Sequence, residues 1–153
     1  MEQTTMKALV YHSPGNLSLD DVPVPKLEYE NNAIVRVTMS SICGSDIHVI
    51  GGHLGIPTPV RMGHEFVGVV EEVGSDVEDF KPGDRVAVSC VAACGVCEPC
   101  KDGQPVHCTK KNVGCFGVSP LLPGCQSEYV RIPFADNTLY KIPYSLTDAA
   151  VLF

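Results

Sequence analysis

The sequence predicts a mainly β domain with short helices, and three observations carry that prediction. Short runs rich in Val, Ile and Thr alternate apolar with polar residues. Clusters of Gly and Pro separate those runs. The chain has 153 residues, 44% apolar and 19% charged, which suits one domain able to bury a core of its own. Short strands with regular turns indicate a barrel or a sandwich.

Along the chain, residues 7–11 and 17–22 flank a His-Ser-Pro-Gly-Asn turn. Pro23, Pro25 and the stretch 28–32 form a connection to Ala33–Ser40, whose alternation and β-branched residues predict a strand. Phe66–Val73 is another strand, ended by Gly74, and Lys81-Pro-Gly-Asp84 is a turn that launches Arg85–Val88. Strands at 128–132 and 139–142 follow a cysteine-rich segment. Ser145-Leu-Thr-Asp148 has the form of a capping box with Ser145 as N-cap, and Ala149-Ala-Val-Leu-Phe153 begins a helix. That helix start is apolar and unpartnered, with no Gly or basic last turn to close it. The expectation is a piece of a longer protein.

Eleven basic against 18 acidic side chains give a net charge of −7, which argues against binding to nucleic acid or an anionic membrane surface. No apolar run approaches the ~18 residues of a membrane span. Met1-Glu2-Gln3-Thr4-Thr5 lacks a secretory pattern, so the expectation is a soluble cytoplasmic protein.

Four of the eight cysteines fall in one run, Cys94, Cys97, Cys100 and Cys108, spaced C-x2-C-x2-C-x7-C. This spacing suits four thiolates around one zinc in a closed structural site. Gly95, Pro99, Gly103 and Pro105 let the segment wrap an ion and are expected to keep regular helix or strand out of it. An iron–sulfur cluster uses similar runs, and two disulfides are the other reading, disfavoured in a reducing compartment. Inert cysteines would need a core that a Pro- and Gly-rich loop does not offer. Cys90, Cys115 and Cys125 have no metal spacing and read as small buried residues. His12, His53 and His107 have no ligand-type neighbours.

Two further motifs adjoin strands: Cys43-Gly-Ser-Asp-Ile-His48 and Gly63-His-Glu65. A catalytic zinc needs roughly three ligands and an open position, and Cys43, His64 and Glu65 supply the right types from strand ends. Asp46 is placed to accept a hydrogen bond from His64 and fix its tautomer. Ser45 and His48 are candidates to pass a proton outward. Each motif alone is weak, since a lone Cys or His is usually structural.

Together, Cys43-Gly-Ser-Asp-Ile-His48, Gly63-His-Glu65-Phe-Val-Gly68, Lys81-Pro-Gly-Asp-Arg-Val86 and the four-cysteine loop resemble the zinc-containing medium-chain alcohol dehydrogenases, from about Met6 to the last residue. The resemblance implies a GroES-like, partly open β-barrel domain over residues 1–153, with a zinc lobe at 90–115. It implies two zinc ions. One, catalytic, is held by Cys43 and His64, with Glu65 as a ligand or exchangeable near-ligand. The other, structural, is held by Cys94, Cys97, Cys100 and Cys108. Ser45 would bond the substrate hydroxyl and His48 would continue the relay. The implied activity interconverts a small alcohol with an aldehyde or ketone by hydride transfer to NAD or NADP, in a full-length homo-oligomer.

That family's remaining catalytic-zinc ligand, a Cys or Asp, would be expected just beyond Phe153, and Asp148 is too early to match it. The nucleotide-binding half is absent: no G-x-G-x-x-G follows a strand, and Gly51-Gly-His-Leu-Gly55 lacks the spacing. The chain alone is therefore expected to bind zinc without turnover. A polyol or threonine dehydrogenase shares the same motifs. A stand-alone zinc-binding module leaves Cys43, Ser45, His48 and Gly63-His-Glu65 unexplained. A co-chaperonin-like protein would share the barrel class but have no use for metal clusters, and a zinc-free quinone reductase would lack the ligands.

Overall fold

The computed structural model describes residues 4–119 and 121–152; Met1-Glu2-Gln3 and Phe153, both used in the sequence reading, lie outside the described residues. In chain order the elements are β1 (Thr5–Ser13), β2 (Asn16–Pro23), β3 (Ala33–Ser40), α1 (Gly44–Ile50), β4 (Val60–Arg61), β5 (Phe66–Val73) and β6 (Arg85–Val88). Then come β7 (Val91–Ala92), α2 (Glu98–Lys101), β8 (Gly114–Cys115), β9 (Tyr129–Ile132), α3 (Ala135–Thr138), β10 (Leu139–Lys141) and α4 (Asp148–Leu152). The fold is mainly β with short helices.

The alternating runs build two antiparallel sheets, in the orders β2-β1-β4 and β10-β6-β5-β3-β9. A separate β7–β8 ladder pairs Val91 with Cys115 at the base of the cysteine segment. Among the described residues the sheets do not close into one barrel. The first two are joined by the Ala8–Ser127 bridge and by the Leu9 N–H donating to the Gln126 carbonyl at 2.8 Å.

Period-2 side chains send Val86 and Val88 inward from β6, and Met6, Ala8 and Val10 inward from β1. The main core gathers Val35, Phe66, Val70, Val86, Phe116 and Ile132. Phe66 and Phe116 meet edge to face, centroids 5.9 Å apart and planes at 84°. A second cluster of Tyr11, Val49, Val60 and Met62 seats α1 on the smaller sheet.

Three local expectations are corrected. The cysteine segment is not devoid of helix, because α2 and a 3-10 turn at Pro105–His107 both form there. Proline is tolerated in the first turn, where its missing N–H has no partner to lose, so Pro99 starts α2 rather than blocking it. The cap of α4 is Thr147, not Ser145: the Ala150 N–H donates to Thr147 Oγ1 at 3.2 Å. The reason is Asp148, which accepts from Arg85 and, at 2.6 Å, from Thr38 Oγ1, fixing the start of α4 against the larger sheet. Nor is α4 unpartnered, since half-buried Val151 and Leu152 line a cavity of about 200 Å³ with His64, Glu65, Val88 and Cys90.

Candidate metal centres

The four-cysteine site is built on tight turns. The Cys97 and Cys100 sulfurs lie 3.4 Å apart, Cys97 and Cys108 3.7 Å, and Cys94 and Cys100 4.0 Å. Tetrahedral ligands at the usual Zn–S length would have edges of about 3.8 Å. Backbone N–H groups converge on the same sulfurs, those of Val96 and Cys97 on Cys94 Sγ at 3.5 and 3.4 Å, and that of Cys94 on Cys108 Sγ at 3.4 Å. The Thr109 and Cys100 N–H groups lower the Cys97 thiol to about 6. Burial, then hydrogen bonding with Cys97, pushes Cys100 up to about 12. Burial resists ionisation of Cys94, but the N–H groups of Val96 and Cys97 outweigh it and lower the pKa. Thiolates this close repel one another, and a dication offsets that repulsion; the residues fit zinc.

The second centre is assembled where β3 leaves and β5 enters the larger sheet. These strands pair antiparallel, Ser40 opposite Phe66, so Cys43 and the His64-Glu65 pair arrive side by side. Ligand atoms of Cys43, His64 and Glu65 all lie within 4.8 Å of one another. One thiol, one imidazole and one carboxylate form the donor set of a three-ligand zinc site with an open position.

Cys43 is the N-cap of α1, and its backbone N–H donates to Asp46 Oδ2 at 2.8 Å. The other carboxylate oxygen of buried Asp46 faces His64 Nδ1 at 3.7 Å, an electrostatic contact rather than the expected hydrogen bond. His64 Nε2 lies 3.2 Å from Ser45 Oγ. His48 is exposed on α1 and tilts against the His53 ring at 5.8 Å; no hydrogen bond joins it to Ser45 among the described residues.

The backbone around His64 is tightly constrained. Gly63 has φ +95°, and a Cβ there would sit 2.8 Å from Cys125 Sγ and 2.9 Å from the Gln126 nitrogen. Gly124 passes so close to residue 62 that a Cβ would lie 2.1 Å from the Met62 carbonyl oxygen. These glycines let the 123–126 segment hydrogen-bond to 61–63, with Cys125 N–H donating to the Gly63 carbonyl at 3.1 Å.

Two neighbours carried no sequence motif. Buried Ser41 donates from its backbone N–H to the Glu65 carbonyl at 3.1 Å and from its hydroxyl to Glu65 Oε2. Cys90, expected to be buried, is exposed at the mouth of the cavity beside His64 and Glu65. Cys125 is buried as expected and its thiol is pushed up to about 12 by that burial; half-buried Cys115 rises to about 11 for the same reason.

The alcohol dehydrogenase GroES-like domain matches residues 29–144. A zinc-type alcohol dehydrogenase-like protein of Bacillus subtilis is 42% identical over 92% of the chain and 39% of its own length. The structure of alcohol dehydrogenase TADH from Thermus sp. superposes with TM-score 0.89 at 37% identity, covering 97% of this chain and 43% of that one. An alcohol dehydrogenase of E. coli complexed with NADH gives TM-score 0.83 at 36% identity, over 98% of this chain and 42% of that one. The chain thus spans less than half the length of these relatives. Among the described residues, no helix is long and apolar enough to cross a membrane. The chain belongs to the zinc-type medium-chain alcohol dehydrogenase family and carries its GroES-like domain.

Proposed function

We propose that this chain is the metal-binding catalytic domain of a zinc-dependent, NAD(P)-dependent alcohol dehydrogenase, holding one catalytic and one structural zinc. The observation that carries the proposal is the pair of ligand clusters on one family domain, a tight four-cysteine set and the Cys43–His64–Glu65 set. The NADH-bound E. coli relative supports the choice of nicotinamide cofactor.

Cys43 and His64 would hold the catalytic ion, with Glu65 as third ligand, while Cys94, Cys97, Cys100 and Cys108 would hold the structural one. Zinc bound to the first set supplies a Lewis acid that lowers the pKa of a substrate hydroxyl, and NAD(P) supplies the hydride acceptor. The chain's own residues do the rest. Asp46 presents negative charge to His64 Nδ1, which favours a proton on that nitrogen and leaves Nε2 for coordination. Ser45 Oγ, adjacent to Nε2, would take the hydroxyl proton while releasing its own, and exposed His48 would be the outlet to solvent, reached through water because no hydrogen bond joins the two side chains among the described residues. Phe66, Val67, Val88, Val151 and Leu152 give the cavity an apolar wall suited to a small alcohol, aldehyde or ketone. We further propose that residues 1–153 form the catalytic unit of a longer homo-oligomeric enzyme, whose nucleotide-binding half lies outside this sequence.

Elemental analysis of zinc per chain, before and after mild chelation, tests the reading. The expected result is near two zincs per chain, one of them resistant to chelation. A single resistant zinc, lost on Cys97→Ser, would refute the catalytic centre. The chain is expected to give no turnover with NAD or NADP, and cofactor-dependent activity above blank would overturn the assignment of the cofactor site to another domain.

A further inference from the structure

We infer that Ser41 is a positioning residue, which presets Glu65 for the metal of the Cys43 centre. This rests on the zinc reading of that centre and adds a residue that no motif marks. Ser41 follows β3 directly and precedes Cys43 by two positions, so a single strand exit delivers one ligand and the group that orients another. Glu65 is held at three points. Its carbonyl accepts the Ser41 N–H at 3.1 Å and the Cys125 thiol at 3.6 Å, and its Oε2 accepts the Ser41 hydroxyl.

Among the described residues, Ser41 is the only donor to that carboxylate and no Lys or Arg pairs with it. The chemistry of the donor matters. A lysine or arginine here would neutralise Glu65 and compete with a cation for its charge. A hydroxyl fixes one oxygen and leaves the full negative charge and the second oxygen available to a dication. Ser41 is buried, with 9% of its surface exposed, so its hydroxyl does not trade this bond freely for water.

The test uses the zinc-loaded chain, in which the four-cysteine site serves as an internal control. Zinc release to a chromophoric chelator is followed for the wild type, Ser41→Ala, Ser41→Thr, and both Glu65→Gln and the Ser41→Ala/Glu65→Gln pair. The expected result is that Ser41→Ala weakens one zinc by roughly 10- to 100-fold, leaves the other unchanged, and is rescued by Ser41→Thr, which keeps the hydroxyl. In the Glu65→Gln background Ser41→Ala has no further effect. With cobalt(II) as probe, Ser41→Ala shifts the visible bands of the Cys43 centre alone. Equal zinc release from wild type and Ser41→Ala overturns the inference, as does an effect that persists without the Glu65 carboxylate. A wild type that holds zinc only at the cysteines overturns the zinc reading itself, and the two failures are distinguishable.

Discussion

Replacing Gly63 by alanine isolates how the backbone before His64 is held. Two costs arise. The first is conformational, because an L side chain at φ +95° is strained by about 1–2 kcal/mol. The second is steric: the new Cβ would lie 2.7 Å from Gln126 Cγ, 2.8 Å from Cys125 Sγ and 2.9 Å from the Gln126 nitrogen, all inside normal contact. Cys125 is fully buried and the Gln126 N–H is bonded to the Met62 carbonyl at 2.9 Å, so neither recedes without breaking packing or a hydrogen bond. Overpacking of this kind costs about 1–3 kcal/mol. Gly83 provides the matched control, with φ +94° and nothing within 4 Å of its Cβ position. Gly83→Ala should therefore lose about 1–2 kcal/mol and Gly63→Ala about 2–5 kcal/mol. Urea unfolding of both variants at one fixed free-zinc concentration measures the difference, since metal binding contributes to apparent stability. If the two variants differ by less than about 0.5 kcal/mol, within the error of additivity, the steric account of Gly63 is wrong.

Asp148→Asn should remove a pH-dependent contribution. Hydrogen bonds from Arg85 and then Thr38 hold the Asp148 carboxyl below the usual range, so its stabilisation is present above the unfolded-state pKa near 4 and fades as pH falls through the folded value. The pair is partly exposed, which limits the loss at pH 7 to about 0.5–1 kcal/mol, and the gap between wild type and variant should close below pH ~4 in denaturant melts. Phe116→Ala empties a fully buried site against Phe66 and should cost about 3–5 kcal/mol, read by the same melts. Treating the zinc-loaded native chain with a thiol reagent and mapping by mass should find Cys90 modified first, because it is exposed. Half-buried Cys115 should react more slowly and buried Cys125 should resist until unfolding, both with raised thiol pKa values, and early modification of Cys125 would contradict its burial.

The longer strands were legible because their side chains carry a period. Phe66–Val73 and Arg85–Val88 read correctly to the residue. β4, β7 and β8 were not legible, since two residues carry no period and their pairing comes from distant partners. α1 was hidden for another reason. Gly44, Ile47, Val49 and Ile50 are poor or middling helix formers, and the helix exists because Asp46 bonds back to the Cys43 N–H and Val49 drops into the second core. Among the candidate metal-centre residues, those with ligand-type side chains stand out in the sequence by type and order. Ser41 and Cys90 do not, because only the β3–β5 register and the β6–β7 turn bring them to Glu65 and the cavity. The end of the chain misled in a specific way. An acid three residues after a serine suggests a capping box, but Arg85 claimed Asp148 and moved the cap to Thr147.

The β3–β5 ladder, with its irregularities between Ile34 and Val35 and between Val37 and Met39, acts as a ruler for the Cys43 cluster. A strand has two faces only, so gaining or losing one residue in β3, with no further bulge to absorb it, would turn every later side chain of that strand to the opposite face. Such a change would carry Cys43 away from His64 and Glu65 together, leaving no partial version of the centre. Residues 51–59, between α1 and β4, stand outside that ladder. Insertions there can lengthen or reshape the surface near the site while the phase of the ligands is kept. A change of length thus disturbs the cluster in one stretch and spares it in the next, so the surface can be remodelled around an unchanged set of ligand-type side chains.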